Sequence, residues 1–168
     1  MTLTEFNTLP AVLARQEFLR CCESVAWASK MMEKRPFASN EELFRTAVAL
    51  WTGLKEADWL EAFAGHPKIG DVKSLAKKFS SISQWASGEQ SGVGVATDDL
   101  LQRLAEGNTN YEKRFGFIFI VCATGKSAVE MLDLLDQRLP NARDVELRIA
   151  VGEQEKIMKL RLEKLLAS

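Results

Sequence analysis

A chain of 168 residues that is 46% hydrophobic has the size of one independent folding unit, which predicts a single domain over residues 1–168 built on one sizeable core. Its 22 Lys and Arg against 23 Asp and Glu give a net charge of -1, without the basic excess that nucleic-acid binding needs. The longest apolar run, Phe117 to Ala123, falls far short of the roughly 20 residues that cross a bilayer, and no basic stretch followed by an apolar block marks a secretion signal, so a cytoplasmic protein without membrane contact is expected.

Helical period then runs along the chain. Ala11 to Met32 carries Val12, Phe18, Leu19, Val25, Trp27, Ala28 and Met31, which predicts one or two helices before the break at Arg35-Pro36. Ser39 with Glu42 is a capping-box pattern, and Leu43, Phe44, Ala47, Val48, Trp51 and Leu54 follow it at the spacing of one buried helical face. Asp58 to Phe63 continue as a short helix that Gly65 is expected to end in the left-handed conformation, with Pro67 preventing its resumption. Ser80 to Gly94, rich in serine and glycine, reads as a mobile or ligand-facing loop.

A helix from about 97 to 106 is expected to stop at Gly107, with Asn110 capping the next. That next helix would run into Phe117 to Cys122, an apolar stretch that also suits a strand but finds no second strand to pair with. Ser127 with Glu130 is a second capping box, ahead of Val129, Leu132, Leu135 and Leu139, and Pro140 closes that helix. The segment from about 142 to 166 is the longest and is rich in Glu, Lys, Arg and Leu. The pattern predicts an all-α, compact multi-helix domain with a long C-terminal helix and loops at 66–72, 86–96 and 123–127.

Cys21, Cys22 and Cys122 are odd in number and lack CxxC spacing, which favours buried thiols over disulfides. One histidine with scattered cysteines gives too few ligands for tetrahedral zinc, and no carboxylate spacing proposes an oxygen-ligated metal. That histidine, His66, stands between Gly65 and Pro67 at a helix C-terminus with little backbone freedom. It suits either a proton donor or acceptor fixed on a rigid corner or a cap on the helix carbonyls.

Glu89 and Gln90 together offer a carboxylate and an amide that can read a ligand with both donors and acceptors, although an exposed loop carboxylate has the same appearance. Near the C-terminus, Leu147, Ala150, Val151, Ile157, Met158 and Leu165 share a helical stripe with Gln154 and Arg161. A guanidinium on such a stripe must snorkel out, pair with a carboxylate or meet an anion in a cleft. The stretch ATGKSA at 123–128 imitates a phosphate loop but has Ile120 where that motif requires glycine, leaving a tight turn ahead of a helix. The Trp and Phe residues are read as core.

Four stretches taken together, HPKIG at 66–70, GEQ at 88–90, YEKRFGFIFIVCATGKS at 111–127 and KLRLEKLL at 159–166, closely resemble the decarboxylases of 2-oxo-4-hydroxy-4-carboxy-5-ureidoimidazoline (OHCU). The resemblance runs over most of the chain in the right order. It implies an all-helical, cofactor-free and typically homodimeric enzyme that forms (S)-allantoin in the last step from urate. By the same resemblance His66 is the catalytic histidine and Pro67 follows it in the site, while Glu89, also catalytic, and Gln90 lie on the loop that holds the substrate. The segment Phe119, Ile120, Val121, Cys122 and Ala123 offers backbone contacts to the ring, and Arg161 lies near the substrate. Many relatives carry a serine three positions before the loop glutamate; this chain has Ala86 there, with Ser87 beside it as the hydroxyl on offer. The rival readings are a helical interaction module, which predicts an apolar groove and no converging polar groups, and an enzyme acting on another ureido or imidazole acid.

Overall fold

The computed structural model describes residues 1–66, 73 and 98–167. All of the regular structure among them is helical: α1 (Leu3–Thr8), α2 (Ala11–Cys21), α3 (Val25–Lys34), α4 (Asn40–Thr52), α5 (Glu56–Ala64), α6 (Asp98–Phe115), α7 (Ala128–Arg138) and α8 (Arg143–Leu166). They fall into two compact units, Met1–His66 with Ile149–Ser168 and Pro67–Arg148.

The starts of these helices follow their caps. Ser39 Oγ accepts from the Glu42 N–H and Ser127 Oγ from the Glu130 N–H, and Ser24 Oγ does the same for Trp27 at the head of α3. Such caps stabilise a helix by about 1 kcal/mol each. The expected stretch from Ala11 to Met32 resolves into α2 and α3, separated where Cys22 takes an extended conformation.

In the first unit Phe6, Phe18, Trp27 and Phe37 form an edge-on aromatic cluster, with Phe18 centred 4.9 Å from Phe6, 5.6 Å from Trp27 and 6.3 Å from Phe37. The buried indoles also need acceptors. Trp27 Nε1 donates to the Ala47 carbonyl at 3.0 Å, which ties α3 to α4, and Trp51 Nε1 donates to the Val151 carbonyl at 3.0 Å, which ties α4 to α8. The face of α8 that results is buried at Ala150, Gln154, Met158 and Leu162, a spacing of four residues that keeps all of them on one side.

Gly65 differs from expectation. It ends α5 at φ -73°, in ordinary right-handed backbone, and the reason for a glycine is steric: a Cβ there would lie 2.1 Å from Glu23 Oε2 and 2.7 Å from Glu23 Cβ. In the second unit α6 continues through Gly107 and Asn110 instead of stopping. The cause is again close approach, since a Cβ on Gly107 would meet Leu135 Cδ2 of α7 at 2.4 Å. Asn108 and Thr109 satisfy their side chains on the carbonyls of Leu104 and Ala105 one turn back, which lets the helix pass through them. The helix ends at Phe115, and Gly116 at φ +79° turns the chain away. The apolar stretch from Phe117 to Cys122 is therefore neither strand nor helix end but an irregular segment, followed by the expected turn, with Gly125 at φ +75°.

Gly107 gives a test of the α6–α7 contact. Alanine inside a helix ordinarily gains about 1 kcal/mol over glycine, but its Cβ would lie 2.4 Å from Cδ2 of Leu135, which is fully buried. Gly107→Ala is expected to lower the free energy of unfolding in urea by about 1 kcal/mol or more. In a Leu135→Ala background the same change is expected to become stabilising; additive effects would contradict this packing.

Candidate active site

His66 follows α5 directly, its backbone N–H donating to the Phe63 carbonyl at 3.1 Å. Its imidazole reaches across to α8, where Nε2 lies 2.5 Å from Gln154 Oε1. Gln154 is fully buried, and its Nε2 has no hydrogen-bond partner among the described residues.

Beyond Gln154 lies the end of α2. Burial pushes the Cys22 thiol up to about 12, against the opposing pull of the Ser24 backbone and the Gln154 carboxamide. Burial likewise pushes Cys21 up to about 12, against the nearby Arg161 guanidinium. Arg161 lies seven residues after Gln154 on α8, on the same face and roughly 10 Å along the axis. It is half-buried, and its Nη1 donates to the carbonyls of Arg20 at 3.3 Å and Cys21 at 3.4 Å, the open carbonyl end of α2. That engagement is one the sequence patterns did not anticipate, and it follows from the partial negative charge where a helix ends. Among the described residues, its Nε and Nη2 make no hydrogen bond.

Phe119 to Ala123 belong to the second unit and are held by a buried charged cluster. Arg138 Nη1 donates to the Ile120 carbonyl at 2.7 Å, and the guanidinium stands 4.6 Å over the Phe119 ring. The same side chain pairs with the fully buried Glu146 carboxylate, Nε donating to Oε1 at 2.7 Å. Glu146 also accepts from the Tyr111 hydroxyl and, at 2.9 Å on Oε2, from Asn141 Nδ2. Burial, followed by the bond to Glu146, drives the Tyr111 hydroxyl far above its ordinary range, so it stays protonated and donates. Lys126 Nζ donates to the Cys122 carbonyl at 2.8 Å, so the lysine of the imitation phosphate loop is used to fix the same segment. Ile120 and Cys122 are buried, whereas Phe119, Val121 and Ala123 are half-buried.

Of the residues singled out from sequence, His66 and Arg161 thus stand on one unit and are linked through Gln154, Cys22 and Cys21. Phe119 to Ala123 stand on the other, while Pro67, Ser87, Glu89 and Gln90 lie outside the described residues. Sequence reasoning placed Gln154 on the buried stripe without giving it a role, and it missed Arg138 and Glu146. The signal for Arg138 was available, because it follows Met131, Leu132 and Leu135 on the buried face of α7.

A family model for OHCU decarboxylase matches residues 7–163. The uric acid degradation bifunctional protein TTL of Arabidopsis thaliana is 39% identical over 154 residues, covering 91% of this chain and 47% of that protein. A putative OHCU decarboxylase of Homo sapiens is 33% identical over 142 residues, covering 83% of this chain and 80% of that protein. Among solved structures, an OHCU decarboxylase crystallised in the presence of (S)-allantoin superposes with a TM-score of 0.72 at 38% identity, covering 90% of this chain and 98% of that one. The chain belongs to the OHCU decarboxylase family. It spans about half the length of the bifunctional plant relative and most of the length of the human one.

Two outcomes follow from this geometry. Arg138→Ala leaves Glu146 as an uncompensated buried charge and is expected to cost about 3–5 kcal/mol in urea unfolding; a loss below about 1 kcal/mol would show that the cluster does not hold the segment. At pH 8 a thiol of pKa about 12 is ionised only to about one part in 10⁴. Cys21 and Cys22 are therefore expected to resist iodoacetamide in the native protein and to react on unfolding, as read by peptide mass spectrometry, and rapid native labelling would contradict their burial.

Proposed function

We propose that this chain decarboxylates OHCU to (S)-allantoin in the degradation of urate, acting as one catalytic domain over its whole length. Family membership across both compact units carries the proposal, together with a lone histidine fixed at a helix end against a buried amide. The chain's likeness to an OHCU decarboxylase crystallised with (S)-allantoin favours the same product.

The reaction asks little of a protein beyond placement and a proton. In OHCU the carboxylate sits on a carbon next to a C=N bond. When the C–COO bond breaks, its electron pair moves into a new C=C bond as the imine electrons move onto nitrogen, and CO₂ leaves. The hydroxyl carbon then becomes a carbonyl as the neighbouring ureido-bearing carbon takes a proton, so the net change is loss of CO₂ and gain of one proton. The imine is the electron sink, and no cofactor is required for that purpose. The tasks left to the side chains are to hold the carboxylate out of the ring plane, exclude water and protonate one face.

In this reading His66 performs the proton work and Glu89 hydrogen-bonds the hydroxyl or ureido groups. Arg161, with donors uncommitted among the described residues, steers the anion. Pro67, Ser87, Gln90 and the backbone from Phe119 to Ala123 complete the substrate contacts. A homodimer in the cytoplasm is part of the same proposal, drawn from the family resemblance. No helix among the described residues is long and apolar enough to cross a membrane.

Chiral analysis of allantoin formed from freshly generated OHCU tests this reading. The chain is expected to give the (S) enantiomer in excess over the spontaneous racemic background, and His66→Ala to cut that rate by roughly 10²-fold. Racemic product at the uncatalysed rate would remove the activity, and a fully (S) product at undiminished rate from His66→Ala would remove the role of His66.

A further inference from the structure

The fully buried Gln154 carboxamide is anomalous as a packing element. It sits on α8 between Ala150 and Met158, both fully buried and apolar, at a position where leucine or methionine would fill the same space. Instead it brings a donor, Nε2, that makes no well-formed hydrogen bond among the described residues and has only the neighbouring Cys22 thiol to act on. An unsatisfied buried N–H costs stability. Its oxygen, by contrast, is committed, lying 2.5 Å from His66 Nε2. A carbonyl oxygen can accept but never donate, so the proton in that contact belongs to the imidazole.

We propose that Gln154 is a positioning residue that holds the proton of neutral His66 on Nε2 and so fixes the tautomer and orientation in which the ring does its proton work. The proposal rests on the reading of His66 as the proton-transfer group. A histidine with one nitrogen engaged by a fixed partner has a defined tautomer and ring orientation, whereas a freely rotating one divides its population among several. A neutral amide is also a different partner from a carboxylate: it orients the ring without adding a negative charge that would favour the imidazolium. Proton delivery to one carbon face needs that orientation, because a ring able to flip can present its proton from more than one direction.

The chain has a single histidine, so its imidazole is read without ambiguity. In the ¹⁵N-labelled full chain, long-range ¹H–¹⁵N correlation above the titration of His66 is expected to show Nε2 protonated and Nδ1 bare. Gln154→Leu is expected to mix the tautomers and to lower kcat for (S)-allantoin by about 10- to 100-fold, the range over which loss of an outer partner acts on metal-bound histidines, while thermal stability holds because leucine fills the same buried space. Gln154→Glu, which keeps the shape and the acceptor, is expected to retain the Nε2–H tautomer and to move the His66 titration, with the matching limb of the kcat/KM profile, to higher pH. A wild-type ring protonated on Nδ1, or a tautomer unchanged in Gln154→Leu, would overturn the proposal. The tautomer is read without turnover, so a chain that made no allantoin would refute the proposed activity and leave this result standing.

Discussion

The buried face of α8 is the constraint on which the first unit depends. Ala150, Gln154, Met158 and Leu162 recur at four-residue intervals along it, and the Trp51 indole bonds to its backbone at Val151. The same face carries the amide that meets His66 and, two turns on, the guanidinium that closes the end of α2. Because a helix fixes the spacing of its side chains, the positions of the imidazole partner and of the cation are set together. The apolar contacts that bury Met158 and Leu162 are also what hold Gln154 in place.

In the second unit polar groups do the corresponding work. Arg138, Glu146, Tyr111 and Asn141 share one buried network, and Arg138 extends it to the Ile120 carbonyl. Burying a charge pair yields little net stability, since desolvation offsets most of the attraction. What the network supplies is a defined path for a segment that has no helix or sheet to order it. Phe119 to Ala123 lie in no helix or strand, and the segment is held by Arg138 and Lys126, side chains for which the sequence patterns offered no such role.

Much of the fold was legible because the helices announce themselves. The Ser39 cap, whose Glu42 partner accepts from the Ala38 N–H instead of closing the expected box, the full capping box at Ser127 and the apolar period behind each placed α4 and α7, and the long α8 stood where its composition put it. The misreadings share one cause. Gly65 and Gly107 were taken as conformational signals, when each is small because a neighbouring side chain approaches, and that neighbour is distant in sequence. Phe117 to Cys122 misled for a related reason, since its apolar character reflects rings crowded around Tyr111, with Phe117 and Phe119 centred 5.9 and 5.1 Å from it, and not a period. Arg161 was correctly seen as out of place on its stripe, but the carbonyls it caps belong to α2, which no local pattern connects to it. Local rules recovered the elements; the contacts between them decided what individual residues are for.

The central claim is that the single imidazole, held against the Gln154 amide, is the group that meets the reacting molecule. It is tested most directly by following the His66 ring ¹H–¹³C resonances while (S)-allantoin is titrated into the protein. The account predicts a saturable shift of the His66 signals at the concentrations that bind. Binding that shifts other resonances and leaves those of His66 unmoved would contradict it.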